Sequence, residues 1–246
     1  LWGVNLSYVL EGFVYFGMLG YLAMYFSDFV FAGMENADRW SHPMVGVLTS
    51  GITIAMFFLG FVPDKFGVRK ALIAAFCFLL AGRLLISAAP VVGLEAGLWG
   101  PLHLATMAGI LLVVIGYGMY QPAAYAAVRK FTNPKTAGMA FAMLYALMNL
   151  GGYLPSYMFL VRDNLGAGIV GSYWVYTALT AIALVLTFFI LSRKTVEAAI
   201  KRAREETAAL KAAEDKKDDA GASPEGDGSR TAVPIPPDPP VTSTVR

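Results

Sequence analysis

Six stretches of nearly unbroken apolar sequence fill the first 192 residues, and each is long enough to cross a bilayer as a helix. They cover residues 1–26, 43–62, 71–92, 96–128, 136–161 and 171–191, with only Glu11 charged in the first, only Arg83 in the third and none in the fourth. A spanning helix needs about 20 such residues to cover ~30 Å of hydrocarbon. The runs are continuous rather than alternating, which favours helices over the strands of an outer-membrane barrel. A hydrophobic content of 57%, 15% charged residues and a mean hydropathy of +0.59 place the chain outside the usual soluble range. The fold class expected is therefore all-α and integral to a membrane.

The connections sort by charge. One set holds Lys65, Arg69 and Lys70, then Arg129, Lys130 and Lys135, then Arg193 and Lys194 followed by Lys201, Arg202 and Arg204; the other holds only Arg39 and Arg162. The excess of basic residues assigns the first set and both chain ends to the cytoplasm, and an even number of spans agrees with this. Cys77 is the single cysteine, so no intrachain disulfide is available. The sequence opens on Leu1 with no basic n-region before its first apolar run, and it reads as cut from a longer chain.

Three regions follow. Residues 1–192 form the transmembrane bundle. Residues 193–217, rich in Ala, Glu, Lys and Arg with Val196, Ile200, Ala203 and Leu210 near helical spacing, read as a weakly amphipathic cytoplasmic helix. Residues 218–246, ending in Pro234, Pro236, Pro237, Pro239 and Pro240, read as a disordered linker.

Polar groups inside apolar spans demand a reason. Glu11, between Tyr8 and the aromatics Phe13, Tyr15 and Phe16, must face a water-filled cavity, hold a proton, or pair with a neighbouring helix. It is the candidate proton or cation site. Arg83 can attract an anionic group, pair with an acid in the bundle, or snorkel to an interface. In the fourth span Gly116, Gly118, Tyr120, Gln121 and Pro122 combine close packing with a permitted kink, and Gln121 is a candidate substrate contact. In the fifth, Asn149 has Tyr145 and Tyr153 at i−4 and i+4, so three polar tips share a face. Tyr21 and Tyr25 share a face with Glu11, although Tyr25 beside Asp28 also suits a membrane interface. His42 and His103, near the outer ends of their spans, read as interfacial rather than as ligands. No metal-ligand set, cofactor motif, nucleophile–base pair or GxxxxGK[ST] loop occurs, so neither an enzyme nor a nucleotide-driven pump is indicated. The basic loops are explained by topology, without nucleic acid.

The loop between spans two and three reads Gly60, Phe61, Val62, Pro63, Asp64, Lys65, Phe66, Gly67, Val68, Arg69, Lys70. It resembles the signature loop of the major facilitator superfamily, which implies the amino-terminal six-helix half of that fold followed by its cytoplasmic linker, with the carboxy-terminal half as partner. The resemblance makes Gly60, Asp64, Gly67, Arg69 and Lys70 part of a cytoplasmic gate. Residues 11–17, Glu-Gly-Phe-Val-Tyr-Phe-Gly, are similar to the first-helix motif of the proton-dependent oligopeptide transporter family. Gly116 through Pro122, then Asn133-Pro134-Lys135, Gly138, Phe141, Tyr145 and Met148 to Gly151 resemble that family's fourth and fifth helices. Tyr8 stands where that family has a glutamate, Gly12 where it has arginine, and Gln121 where it has lysine. The resemblance implies a proton-coupled symporter of a small solute, a peptide or amino-acid-like compound, in a plasma or inner membrane. Glu11 would be its coupling residue, and Tyr8, Tyr15, Arg83, Gln121, Asn149 and Tyr153 would line the substrate cavity. A facilitative uniporter or exporter, an oligomeric channel and a non-transporting scaffold or receptor are the other readings.

Overall fold

The computed structural model describes the backbone of residues 2–221 and the side chains of residues 5–216. Among the described residues, six helices are long and apolar enough to cross a membrane. They are α1 (Trp2–Tyr25), α2 (Ala37–Leu59), α4 (Val68–Ala88), α5 (Pro101–Phe131), α6 (Pro134–Tyr153) and α7 (Gly168–Ile190); a short α3 (Val62–Phe66) lies between α2 and α4, and α8 (Arg193–Gly221) follows α7. The all-helical, six-span architecture is the one expected, with each boundary shifted by a few residues. The linker expected over residues 218–246 begins as helix through Gly221, and from residue 222 it lies outside the described residues.

Local sequence sets the ends of these helices. Pro101 opens α5 and Pro134 opens α6, positions where the missing N–H removes nothing from the helix. At α6, Asn133 and Thr136 form a reciprocal capping box: Thr136 N–H donates to Asn133 Oδ1 at 3.0 Å, and Asn133 N–H donates to Thr136 Oγ1 at 3.3 Å. Gly67, at φ +85°, supplies the left-handed residue that separates α3 from α4. Beyond Tyr25 the first span widens into a π-helical turn, Phe26–Val30, in which Phe31 N–H reaches back to Phe26 O at 2.8 Å. The turn buries Phe26, Val30 and Phe31, so the span passes Asp28, near which the sequence had it end.

α5 is the centre of the bundle, packed most extensively on α4 and flanked by α2; α1 packs on α6 and α7. The α4–α5 seam depends on backbones that nearly touch. A Cβ added to Gly82 would lie 2.6 Å from Gly109 O, and one added to Gly109 would lie 2.6 Å from Ile86 Cγ1. In lipid, where apolar side chains gain little by leaving the solvent, such close approach is what holds helices together. The outer faces carry Phe57, Phe58, Leu111, Val185 and Phe189, all exposed and suited to acyl chains. Buried hydroxyls on α7 return to their own helix: Thr177 Oγ1 donates to Tyr173 O at 2.9 Å and Thr180 Oγ1 to Tyr176 O at 2.8 Å.

Tyr25, for which an inner face and an interface were both open, and His103, read as interfacial, are turned inward. Tyr25 is wholly buried and donates to Ile86 O at 2.8 Å, because the π-helical turn carries the span past it. His103 is buried against Phe26 and Phe31, and its Nδ1 accepts from Trp99 N–H at 3.1 Å. His42 is exposed, as an interfacial residue would be.

The described residues through Thr207 form one compact unit, and those from Ala208 on belong to a second. Within the first, the start of α8 is fastened to the α5–α6 connection: Ala203 is buried, and Asn133 Nδ2 donates to Glu206 Oε2 at 2.9 Å while Arg202 Nε donates to Glu206 Oε1 at 3.0 Å. The Asn133 amide, followed by Arg202, holds the Glu206 carboxyl below the usual glutamate range. A lowered carboxyl stabilises the fastening above the ordinary glutamate value, and that contribution is lost as pH falls through the lowered value. The distance between spin labels at positions 135 and 201 should therefore be constant from neutral pH down to about pH 4 and broaden below it. In Glu206→Gln the same distance should be independent of pH.

Candidate functional site

Four spans bring one polar side chain each to a point inside the bundle. Glu11 comes from α1, Arg83 from α4, Tyr117 from α5 and Thr180 from α7. Arg83 grips the Glu11 carboxylate with both terminal nitrogens: Nη1 donates to Oε2 at 3.0 Å, and Nη2 donates to Oε1 in a shorter contact. Nη1 also donates to Thr180 Oγ1 at 2.5 Å and Nη2 to Tyr117 Oη at 2.7 Å, while the Tyr117 hydroxyl donates in turn to Glu11 Oε1. Both charged side chains are only 1% exposed. A buried bidentate pair of this kind persists because each charge is matched and hydrogen-bonded by the other and by neutral groups.

The α4–α5 seam fixes this geometry. Gly82 precedes Arg83, and Gly109 lies two turns before Tyr117, so the contact of the two glycines sets how near the guanidinium comes to the phenol. A second close crossing brings α1 onto α6. A Cβ on Gly12 would lie 2.9 Å from Met148 O, and one on Gly151 2.5 Å from Val9 O. A side chain as large as arginine does not fit at position 12. The cation paired with Glu11 comes instead from α4.

Beside the ion pair lies a cavity of ≈ 380 Å³ between α1, α2, α5 and α6. Tyr8, Tyr15, Gln121 and Asn149, four of the residues expected in a cavity, do line it together. Tyr8 Oη donates to Gln121 Oε1 in a short contact, and the Tyr8 ring stacks on Tyr120 with centroids 5.6 Å apart. Tyr15 meets Tyr117 edge to face at 5.1 Å. Arg83 and Tyr153 are placed elsewhere. Arg83 is sealed behind Tyr117 by its bonds to Glu11, and Tyr153 sits farther along α6, where its hydroxyl lies 3.2 Å from that of Tyr157. The last turn of α6 passes into a tighter 3₁₀ turn at Leu154–Tyr157, which favours the neighbour over the cavity.

Tyr117 was not singled out by sequence, yet among the described residues it is the one side chain that both lines the cavity and bonds the ion pair. The available signal was its position four residues before Gln121, on the same helical face. Tyr125, four residues after Gln121, completes that face of the cavity.

At the end of the bundle that carries most of the basic residues, Lys130 Nζ lies 3.7 Å from Asp64 Oδ1. Arg69 Nε donates to Leu191 O at 2.6 Å, and its guanidinium lies over the Phe188 ring at 5.3 Å. Lys70 joins Arg69, Lys130 and Arg193 around a second cavity of ≈ 350 Å³. Gly60 ends α2 and Gly67 ends α3, so the loop that joins α2 to α4 is held against both α5 and the end of α7.

Comparison with known proteins gives this arrangement its family. The description of the family model that matches residues 1–236 is Major Facilitator Superfamily. Solved structures sharing the fold include a glutamate-to-glutamine mutant of the peptide transporter POT in complex with sulfate, 17% identical with a TM-score of 0.67. The same mutant in complex with alafosfalin is 16% identical with a TM-score of 0.67. The chain is covered to 89% in both matches, but it spans only 44% and 45% of those transporters' length. No curated protein matches the sequence. With a family model over nearly its whole length and the matching six-helix architecture, the chain belongs to the Major Facilitator Superfamily.

Proposed function

We propose that the chain is the amino-terminal half of a secondary active transporter that moves a small solute, peptide-like or amino-acid-like, by alternating access, with proton movement coupled through Glu11. The observation that carries the reading is the connection of the buried Glu11–Arg83 pair to the cavity through the Tyr117 side chain. An ionisable pair inside a membrane bundle is costly, and its usual justification is function. Support for a second half comes from the exposed faces of α2 and α6. Ser50, Thr53, Tyr145 and Asn149 are exposed there, and such polar groups suit water or another protein surface better than lipid tails. Transporters of this general plan bind their solute between two such halves near the membrane midplane and rock about it.

A proton arriving on Glu11 cancels its half of the pair, weakens the carboxyl as acceptor of the Tyr117 hydroxyl and loosens the hold on Arg83. A solute in the cavity presses on the ring of the same tyrosine. Proton and solute thus act on one hydroxyl, from opposite sides. The loop around Asp64, Arg69 and Lys70 is the gate on the cytoplasmic side, where the basic connections and both chain ends lie in a plasma or inner membrane. No cofactor or bond-making step enters this cycle. Protons, the solute, the lipid bilayer and the carboxy-terminal half are its partners.

The test uses the full-length protein in proteoliposomes loaded with a pH-sensitive dye. Adding transported solute should acidify the lumen, and Glu11→Gln should abolish that acidification while leaving solute counterflow measurable. Concentrative uptake unchanged by Glu11→Gln overturns the coupling role. Because Arg83 already neutralises Glu11, facilitative uniport or export of another small organic solute is a second reading. It gives counterflow without acidification in the unaltered protein. A channel or scaffold gives neither.

A further inference from the structure

We infer that the cavity beside the ion pair takes an uncharged, amide-bearing aromatic part of the solute, and not a free carboxylate or ammonium group. This rests on the transporter reading of the same cavity and narrows its substrate class. Among its described lining residues none carries a formal charge. Its lining includes the phenol rings of Tyr8, Tyr15 and Tyr117 and the ring of Tyr145, together with amides at Gln121 on α5 and Asn149 on α6. Flat rings offer faces for stacking.

The two amides have complementary vacancies in their hydrogen bonding. Gln121 Oε1 already accepts from Tyr8, whereas Nε2 has only a weak contact with Met148 Sδ at 3.9 Å and is left as a donor toward the cavity. Asn149 uses Nδ2 on Tyr145 O of its own helix at 2.9 Å, which leaves Oδ1 as an acceptor. One donor and one acceptor on facing helices match the C=O and N–H of an amide. The charges of the ion pair are already matched. Both Glu11 oxygens and both terminal nitrogens of Arg83 are spent on each other, on Tyr117 and on Thr180, behind the Tyr117 ring. A carboxylate entering this side would lose its water and meet no counter-ion, the arrangement that binding sites avoid.

The test compares two probes on the full-length protein in lipid nanodiscs by isothermal titration calorimetry: neutral N-acetyl-L-phenylalaninamide and zwitterionic L-phenylalanyl-L-phenylalanine. The neutral probe should bind at least as tightly as the dipeptide. Gln121→Leu should weaken it tenfold or more, and Asn149→Leu should do the same, each with a melting temperature within a few degrees of the unaltered protein. Gln121→Lys should shift preference tenfold or more toward N-acetyl-L-phenylalanine, which carries a carboxylate. Tenfold tighter binding of the dipeptide to the unaltered protein, no binding of either probe, or neutral-probe affinity indifferent to both leucine variants overturns the inference. Neutral-probe binding without its counterflow would instead count against the transporter reading alone. Proton-coupled uptake of dipeptides that the neutral probe cannot inhibit would spare that reading and remove this one.

Discussion

Replacing Arg83 by methionine should destabilise the bundle by about 3–5 kcal/mol, the cost of leaving a buried charge without its partner. Glu11 would be left without its partner in a site only 1% exposed, with the Tyr117 hydroxyl as its remaining donor. Three results would follow in detergent or nanodiscs: a markedly lower apparent melting temperature for Arg83→Met, a smaller drop for Glu11→Gln, and recovery in the double variant. Recovery is the diagnostic result, because removing both charges abolishes the desolvation penalty that either single change exposes. Glu11→Gln is milder because a neutral amide still reaches Tyr117, although Arg83 then keeps only neutral partners. Additive losses in the double variant would mean that the two residues do not act as a pair.

A second large effect belongs to the α4–α5 crossing. Gly82→Leu places a Cβ 2.6 Å from Gly109 O and 2.9 Å from Val113 N, both backbone atoms that cannot swing aside. Overpacking of a tight seam costs about 1–3 kcal/mol and sometimes more, and here the helices must separate to admit even the first carbon. Separation draws Arg83 away from Tyr117, so the loss should exceed that of Gly138→Leu, where an added Cβ meets nothing within 4 Å. Melting of the two variants side by side checks this. Equal melting temperatures would show that the seam yields.

The six spans were legible because crossing a bilayer is a demand on length and composition, and a run such as residues 96–128 satisfies it without reference to any neighbour. That the basic connections share one end was legible from the alternation of charge along the chain, and Arg69, Lys130 and Arg193 do line one cavity there. Gly12 shows where local reading stops. The sequence shows glycine at this position, but the reason lies in Met148 O, 136 residues away along the chain and 2.9 Å from where a Cβ would stand. Tyr153 shows the converse: its spacing from Asn149 was read correctly, and a 3₁₀ turn after it sent the side chain to Tyr157.

By itself, then, the sequence determined that this chain is a six-helix membrane bundle, which loops lie together at its basic end, and that Glu11 and Arg83 each needed a reason to be inside it. Only the tertiary structure decided that each is the reason for the other, and that Tyr117 stands between them and a cavity whose described lining residues carry no formal charge. Hydrophobic length belongs to each helix alone. Pairing depends on the rotation and depth of two helices at once, set here by glycines whose contacts lie far apart in sequence.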